Sequence, residues 1–498
     1  MYRAPDPAQL YLEDFKLQFG GKLRADNRWV VLSKQMPWER IEEIYARNFS
    51  PNSGAEAINS RIAFGAIYAK EHEEWTDRET VQNTLENPYF QYFLGFKEFQ
   101  EKPPFDASMM VYFRKRFSPE AINEINELIF LSIAREADER NGSKSSDSDS
   151  NDPPVGGSGG NDIAQAPSNP QNKGKLIIDA TCAPADIRYP TDLSLLNEAR
   201  ENTEEIIDIM CSSGKKQGRR QAYNRKKARG EYLSIIKQKR PKPGKIRAAI
   251  AKQLEYLWKN IEKIGDLMLG GGYDILKEKH LRRILTVCEL YRQQLYMWQN
   301  RTHKCDNRIV SLRQPHVRPI VRGKAGKKYE FGQKLAVSVV GGYTFVEKQS
   351  FESFNEGIHL IESIERYKQR FGFYTKAVLA DQIYRNRSNR NYCKQHGIRL
   401  SGPKLGQRKM DDEADDLQTY KDLCERNIVE SRIGISKRRF GLDLIMCYLP
   451  ETALTEAALQ VLCTNLSLWL KFLFDFLKML FQFLKMFFYD FSWPVFSI

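Results

Sequence analysis

Between Asn141 and Gly174 the chain runs NGSKSSDSDSNDPPVGGSGGNDIAQAPSNPQNKG, a stretch of Ser, Asp, Asn, Gly and Pro that cannot bury enough apolar surface to offset the entropy of ordering it. It reads as a flexible linker, residues 141–174, and it divides 498 residues into two parts of different periodicity. Before it, residues 38–136 carry helical spacing: Thr76 and Glu79 form a capping-box pair ahead of VQNTLENPYF, and Ser118-Pro119 suits an N-cap and first helical position ahead of AINEINELIF. An all-α N-terminal domain over residues 1–140 is expected. After it the period changes. LIID (176–179) is a short apolar run ending in a carboxylate, KLAVSVV-GG-YTFVEKQ (334–349) reads as two strands around a Gly-Gly turn, and Ala377–Ala380 is a further apolar run before Asp381 and a helix ending near Gly397. Strands alternating with helices indicate an α/β core, placed at 175–197 and 313–465.

The 115 residues from 198 to 312 interrupt that core with helical patterns (IRAAIAKQLEYLWKNIEKI, LRRILTVCELYRQQLYMWQNR) and read as an insertion. The charge of the chain is concentrated there. Lys and Arg number 77 against 63 Asp and Glu, a net +14, and residues 214–247 alone hold fourteen basic residues and one acid, Glu231. Such a cluster, with Arg225, Lys226, Lys227 and Arg229 at its centre, binds phosphates with little regard for sequence, so a nucleic-acid partner is expected. The eight cysteines are scattered without a CxxC pair, and MYRAPDPAQLYLEDF has no apolar run behind a basic start. Reduced thiols and a cytoplasmic location follow as expectations.

Three acids stand where chemistry could be built: Asp179 and Asp381 at the ends of apolar runs, and Glu430 in a late helix. A carboxylate at the end of a buried strand is costly to desolvate without a cation, and hard divalent ions such as Mg2+ prefer oxygen ligands. In CERNIVESRIGISKRRFG, Arg426 lies four residues before Glu430 and Lys437 seven after it, so at about 100° per residue all three share one helix face.

These residues resemble the insertion-sequence transposases of the Asp-Asp-Glu type. Arg426, Glu430 and Lys437 match the Arg-x3-Glu-x6-Lys part of that family's signature, while Leu423 stands where its Tyr would be, with Tyr420 nearby. The likeness extends through LIIDATCAPADIRYPTDLSLLNEARE, LADQIYRNRSNRNYCKQHGIRLSGPKLG, DRETVQNTLENPYFQYFLGFKEF and PFDASMMVYFRKRF, and is closest to the family 5 and family 1182 type. The resemblance implies a ribonuclease-H-like catalytic core, with the first Asp on the first strand, the second after the fourth and the Glu on a following helix. It implies metal-dependent cleavage at the element's ends and strand transfer into target DNA, with Asp179, Asp381 and Glu430 holding Mg2+ or Mn2+, two ions in all, and Arg426 and Lys437 on DNA phosphates. Terminal inverted repeats and target DNA would be the partners, in a homodimer near the nucleoid of a prokaryote, with the N-terminal helices recognising the ends. A non-catalytic DNA-binding relative or repressor is the alternative, and it would be expected to lack one of the acids.

Other features carry less. His303, Cys305 and His316 lack the close pairs that make a zinc site. Arg322, Lys324, Lys327 and Lys328 around two glycines could track a phosphate backbone, and Glu330 beside them could serve as an auxiliary acid. The apolar segment Leu466–Phe488, set within residues 466–498, is long enough to suggest a membrane span, but Lys471, Asp475, Lys478 and Lys485 cost up to about 12 kcal/mol against roughly 8 gained. With Gln482 they form one narrow polar stripe. An amphipathic helix buried against the core or a partner subunit is expected, rather than stable membrane insertion.

Overall fold

The computed structural model describes residues 15–17, 21–50, 53–144, 171–212, 224–324, 327–402 and 413–489. Most of the linker, together with Lys215, Lys216, Arg219 and Arg220 of the basic cluster, lies outside them, as do the side chains of Arg322, Lys324, Lys327 and Lys328.

The first seven helices are α1 Arg28–Gln35, α2 Trp38–Ala46, α3 Ser60–Glu73, α4 Asp77–Glu86, α5 Pro88–Phe93, α6 Met109–Arg116 and α7 Pro119–Lys144. The Thr76–Glu79 capping box forms in both directions, Glu79 accepting from the Thr76 N–H at 2.7 Å and Thr76 Oγ1 from the Glu79 N–H at 3.2 Å. Asn87 then ends α4 and caps α5, whose first residue is Pro88.

Strand β1, Lys175–Pro184, opens the second part. Asp179 therefore lies mid-strand rather than at a strand end, because Ala180–Pro184 continue the pairing. Strands β2 Arg318–Lys324, β3 Lys327–Val340 and β4 Tyr343–Ser350 follow the insertion, then β5 Ala377–Leu379 and β6 Arg399–Leu400. The six strands form one sheet in which β3 pairs antiparallel with β1, β2 and β4, while β5 joins β1, and β6 joins β5, in parallel. Asp381 thus follows the fifth strand in chain order, since β2, which the sequence pattern did not separate, adds itself to β3. Gly341 and Gly342 make the β3–β4 turn with φ of +56° and +90°, the conformation that a tight hairpin needs. A Cβ at Gly341 would meet the Ala134 carbonyl oxygen of α7 at 2.3 Å, so the turn also requires glycine for close approach.

Helices α8 Asp192–Ser212, α9 Arg225–Ile236, α10 Pro243–Leu269 and α11 Glu278–Gln299 form the insertion; Leu196, Leu257, Val287 and Leu290 pack α8, α10 and α11 together, and Tyr232 seats α9 on Leu193 and Ala249. Helices α12 Leu360–Phe371 and α13 Arg387–Gln395 cover one face of the sheet, and α14 Glu413–Arg439 covers the other, where Val429 packs against Ile177, Val337 and Leu379. The final helix, α15 Pro450–Tyr489, begins sixteen residues before Leu466. Its first half is buried among α3, α6, α7 and β4, whereas Phe472, Phe476, Met479 and Phe483 further along are exposed. One helical stretch, Pro450–Phe483, is long and apolar enough to cross a membrane, and 67% of its most apolar window is buried inside the protein. Helices α1–α7, the sheet, α12 and α15 share one continuous apolar core.

Candidate functional site

The parallel pairing of β1 with β5 brings the first two acids together. Lys175, Leu176 and Ile177 stand opposite Ala377, Val378 and Leu379, so each aspartate follows the last paired residue of its strand by two positions. Asp179 shares its side of β1 with Ile177, which packs against Val429 of α14. The next residue of α14 is Glu430. Its carboxylate and that of Asp381 are held by one guanidinium: Arg426 lies 3.2 Å from Asp381 Oδ1 and 3.6 Å from Glu430 Oε1. Asp381 also caps the turn Gln382–Tyr384, accepting from the Gln382 N–H at 2.7 Å.

The three acids differ in exposure. The side chains of Asp381 and Glu430 are 59% and 57% exposed, whereas Asp179 is half-buried and accepts the neighbouring Ala180 N–H at 2.8 Å. Burial raises the Asp179 carboxyl above its ordinary range; Glu356 and Glu430 push it the same way, against the Ala180 N–H and Arg426. Lys437 is part-buried on α14 and takes part in an interaction of its own, while Leu423 and Tyr420 are exposed one and two turns before Arg426.

Sequence reasoning missed Glu356, Lys334 and Tyr384. Glu356 opens a short turn, Glu356–His359, after β4 and lies 2.7 Å from Lys334 Nζ, a lysine only 12% exposed. Tyr384 is 1% exposed, and its hydroxyl has no hydrogen-bond partner among the described residues. Burial first, then Glu356, Asp179 and Asp381, push that hydroxyl far above the usual tyrosine range. The only sequence signal for Glu356 was its place in a loop that follows a hairpin.

Glu330 is not brought here. It pairs with Ile320 seven residues along β3 from Val337, the partner of Asp179, which is roughly 23 Å at about 3.3 Å per residue. The zinc ligands do not meet either: His303 is 86% exposed beside Asp192, and His316 packs edge-on against Phe351, where burial and Arg318 lower its pKa to about 4. Of the basic residues in α9, Lys226, Lys227 and Arg229 are exposed, but Arg225 grips Asp208 of α8 with two bonds of 2.8 and 2.9 Å.

Among the described residues no three His, Cys, Asp or Glu side chains converge as a preformed metal cage. The donor chemistry nonetheless suits a hard divalent ion: carboxylates that raise one another's charging cost, with a cation already drawn between two of them.

A family model described as a transposase DDE domain matches residues 378–467, which include Asp381, Arg426, Glu430 and Lys437. A second, described as a transposase domain (DUF772), matches residues 18–116, which span α1–α6. Over these two segments the chain is similar to transposases, the later one to a DDE domain. Over 198 residues it is 29% identical to an uncharacterized protein, ORF8 in the nfe locus of Rhizobium meliloti, a stretch covering 39% of this chain and 78% of that one. No solved structure matches it. Asp179, Lys334 and Glu356 fall between the two matched segments.

Proposed function

We propose that the chain is an active transposase that cleaves phosphodiester bonds at the ends of an insertion sequence and joins the freed 3′-hydroxyl to target DNA at one site. The observation that carries this reading is Arg426 of α14 bridging Asp381, which follows β5, to Glu430 on its own helix, with Asp179 of β1 within the electrostatic reach of Arg426 and Glu430. The strand order β4-β3-β1-β5-β6, antiparallel up to β1 and parallel beyond it, supports a ribonuclease-H-like core to which β2 has been added. The reading divides the chain into end-recognising helices at 1–140, a basic insertion at 198–312 and the catalytic core around it, working as a homodimer on DNA.

Asp179, Asp381 and Glu430 would hold divalent ions of the Mg2+ or Mn2+ kind. Such ions, when bound, activate the attacking oxygen and stabilise the leaving one. The chain's own residues do the rest. Arg426, already spanning two of the acids, sets their separation and presents a guanidinium to a phosphate beside the scissile bond, and Lys437 extends the cationic face two turns along α14. Half-burial of Asp179 reduces the screening of its own charge, while Asp381 and Glu430 stay open to solvent.

Cleavage and strand transfer on a duplex carrying the element's own ends test the reading. Asp179→Asn, Asp381→Asn and Glu430→Gln should each abolish cleavage with Mg2+ while end binding persists. Arg426→Ala and Lys437→Ala should lower it tenfold or more. Cleavage at the wild-type rate by any of the three acid variants removes that residue from the site, and a wild-type chain that binds ends without cutting them favours the repressor alternative.

A further inference from the structure

Where α15 leaves the body of the protein it borders a cavity of about 610 Å3, which the start of α1, the end of α3 and the last turns of α14 also line. Among the described residues its lining holds Arg28, Arg432, Arg438, Arg439 and Lys471, together with His72, and no carboxylate. One acid stands behind it. Glu73 lies 2.9 Å from Arg28 Nη2 and 2.7 Å from His72 Nδ1, and so answers those two groups. The remaining four cations have no carboxylate within ion-pairing distance among the described residues.

Arg432 decides the chemistry. A Cβ at Gly342 would meet Arg432 Nη2 and Leu468 Cδ2 alike at 3.9 Å, so the guanidinium is seated between the β3–β4 turn and α15. Its side chain is half-buried, and its Nε is shielded from solvent with no hydrogen-bond partner among the described residues. A cation drawn out of water is ordinarily matched by a counter-charge, and here the nearest charges are like ones, facing it over apolar Leu468 and Phe472. An anion entering the cavity relieves that repulsion. Guanidinium forks match phosphate oxygens in pairs. Arg432 and Arg439 stand seven residues apart on one face of α14, about 10 Å along its axis, so a row of phosphates answers them better than one small anion. That face lies about 180–200° round the helix from Glu430, so phosphates held there are not the one at the acids.

We propose that this cavity binds the phosphate backbone of DNA away from the scissile bond, with Arg432 and Arg439 on successive phosphates and the exposed Arg438 and Lys471 adding charge beside them. The proposal rests on the transposase reading only for the identity of the polyanion. Because Arg28 belongs to the helices before the linker and Arg432 to the helix that carries Glu430, one bound backbone spans both parts of the chain.

The test is equilibrium binding of the full chain to a short duplex that lacks the element's ends, by fluorescence anisotropy over a range of salt, with thermal melting as a fold control. Arg432→Gln combined with Arg439→Gln should weaken binding about tenfold and flatten its salt dependence by up to about 0.9 log units per lost contact, without lowering the melting temperature. Arg439→Gln alone, a change at an exposed side chain, should show part of the effect, and Arg432→Lys, which keeps the charge, should retain the salt slope. An unchanged slope and affinity overturn the proposal, and a fall in melting temperature with unchanged slope makes Arg432 a structural residue and overturns it as well. Vesicles of phosphatidylglycerol probe the other source of phosphate: variants that lose vesicle binding and keep duplex binding overturn the assignment to DNA. If the double variant loses duplex binding but the wild-type chain cuts no element ends with Mg2+, the transposase reading falls and the phosphate site remains. If the wild-type chain cuts and the double variant binds duplex as before, the site falls and the reading stands.

Discussion

Asp179 shows how one side chain can be held at a cost to folding. Its carboxyl is raised by burial and by two neighbouring acids, so the folded chain takes up its proton at a higher pH than the unfolded chain does. The sign follows: between the ordinary carboxylate pKa and the raised one, the folded state binds more protons, and stability falls as pH rises through that window. Above it the full cost is present. Asp179→Asn removes the cost, so its melting temperature at pH 7 should equal or exceed that of the wild type, by a degree or more, with the advantage vanishing as pH falls toward 4. A melting series from pH 4 to 8 in chelator checks this, and a variant less stable than wild type throughout would show that Asp179 is a structural residue. The sequence reading singled out Asp179, Asp381, Glu430 and Arg426 because helical spacing sets the Arg426–Glu430 pair and apolar runs precede the two aspartates, although the strand runs on past Asp179; their grouping came from the resemblance. Glu356 carried no such mark, since its turn is held through the Gly357 carbonyl by Asn386 and Asn389 some thirty residues away.

At the scale of elements, the insertion illustrates why charge counting alone misassigns some cations. Four basic residues of α9 were grouped as phosphate contacts, yet they face different surroundings. Arg225 is bound to Asp208 and to the Glu204 carbonyl of α8, whereas Lys226, Lys227 and Arg229 point outward. Partner choice across helices is a tertiary fact that periodicity does not carry. The two groups should separate in experiment. Replacing Lys226, Lys227 and Arg229 together by Gln should weaken binding to any duplex and flatten its salt dependence by up to about 0.9 log units per lost phosphate contact, with unchanged melting. Arg225→Gln should loosen the α8–α9 contact, visible as faster hydrogen exchange there, and leave the salt slope almost as it was. Equal salt slopes for the triple variant and wild type would mark α9 as a solvated surface. The same limit explains β2: RPIVRGK has too few apolar residues to read as a strand, and it becomes one because β3 extends far enough to pair with it.

For the molecule as a whole, the linker in the sequence pointed to separate units, while the packing ties the helices before it to the sheet after it. A buried node makes part of the connection. Asn465 of α15 accepts the Thr344 N–H of β4 at 2.9 Å, and its amide nitrogen donates to the Thr344 carbonyl at 2.7 Å and to Asn126 Oδ1 of α7 at 2.9 Å. Asn126 in turn donates to the same Thr344 carbonyl at 3.1 Å. Around this node Phe130 stacks on Tyr343 at 4.8 Å, and Thr455 of α15 donates to the Phe117 carbonyl at 3.0 Å. Both Asn465 and Asn126 are almost wholly buried, so a group left unpaired there costs about 1–3 kcal/mol. Asn465→Ala orphans the Thr344 N–H and one acceptor of Asn126 at once, and opens a small cavity besides. If the helices and the catalytic sheet unfold as one cooperative body, calorimetry of Asn465→Ala should show the main transition lowered by several degrees yet still single, and end binding and cleavage should be lost at the same temperature. Should the helices instead form an independent unit, the variant would split into two transitions, with the one assigned to α1–α6 unmoved. The shared core of Phe64, Phe113, Ile178, Phe345 and Leu462 argues for the single transition, because no apolar boundary lies between the two parts at which unfolding could stop.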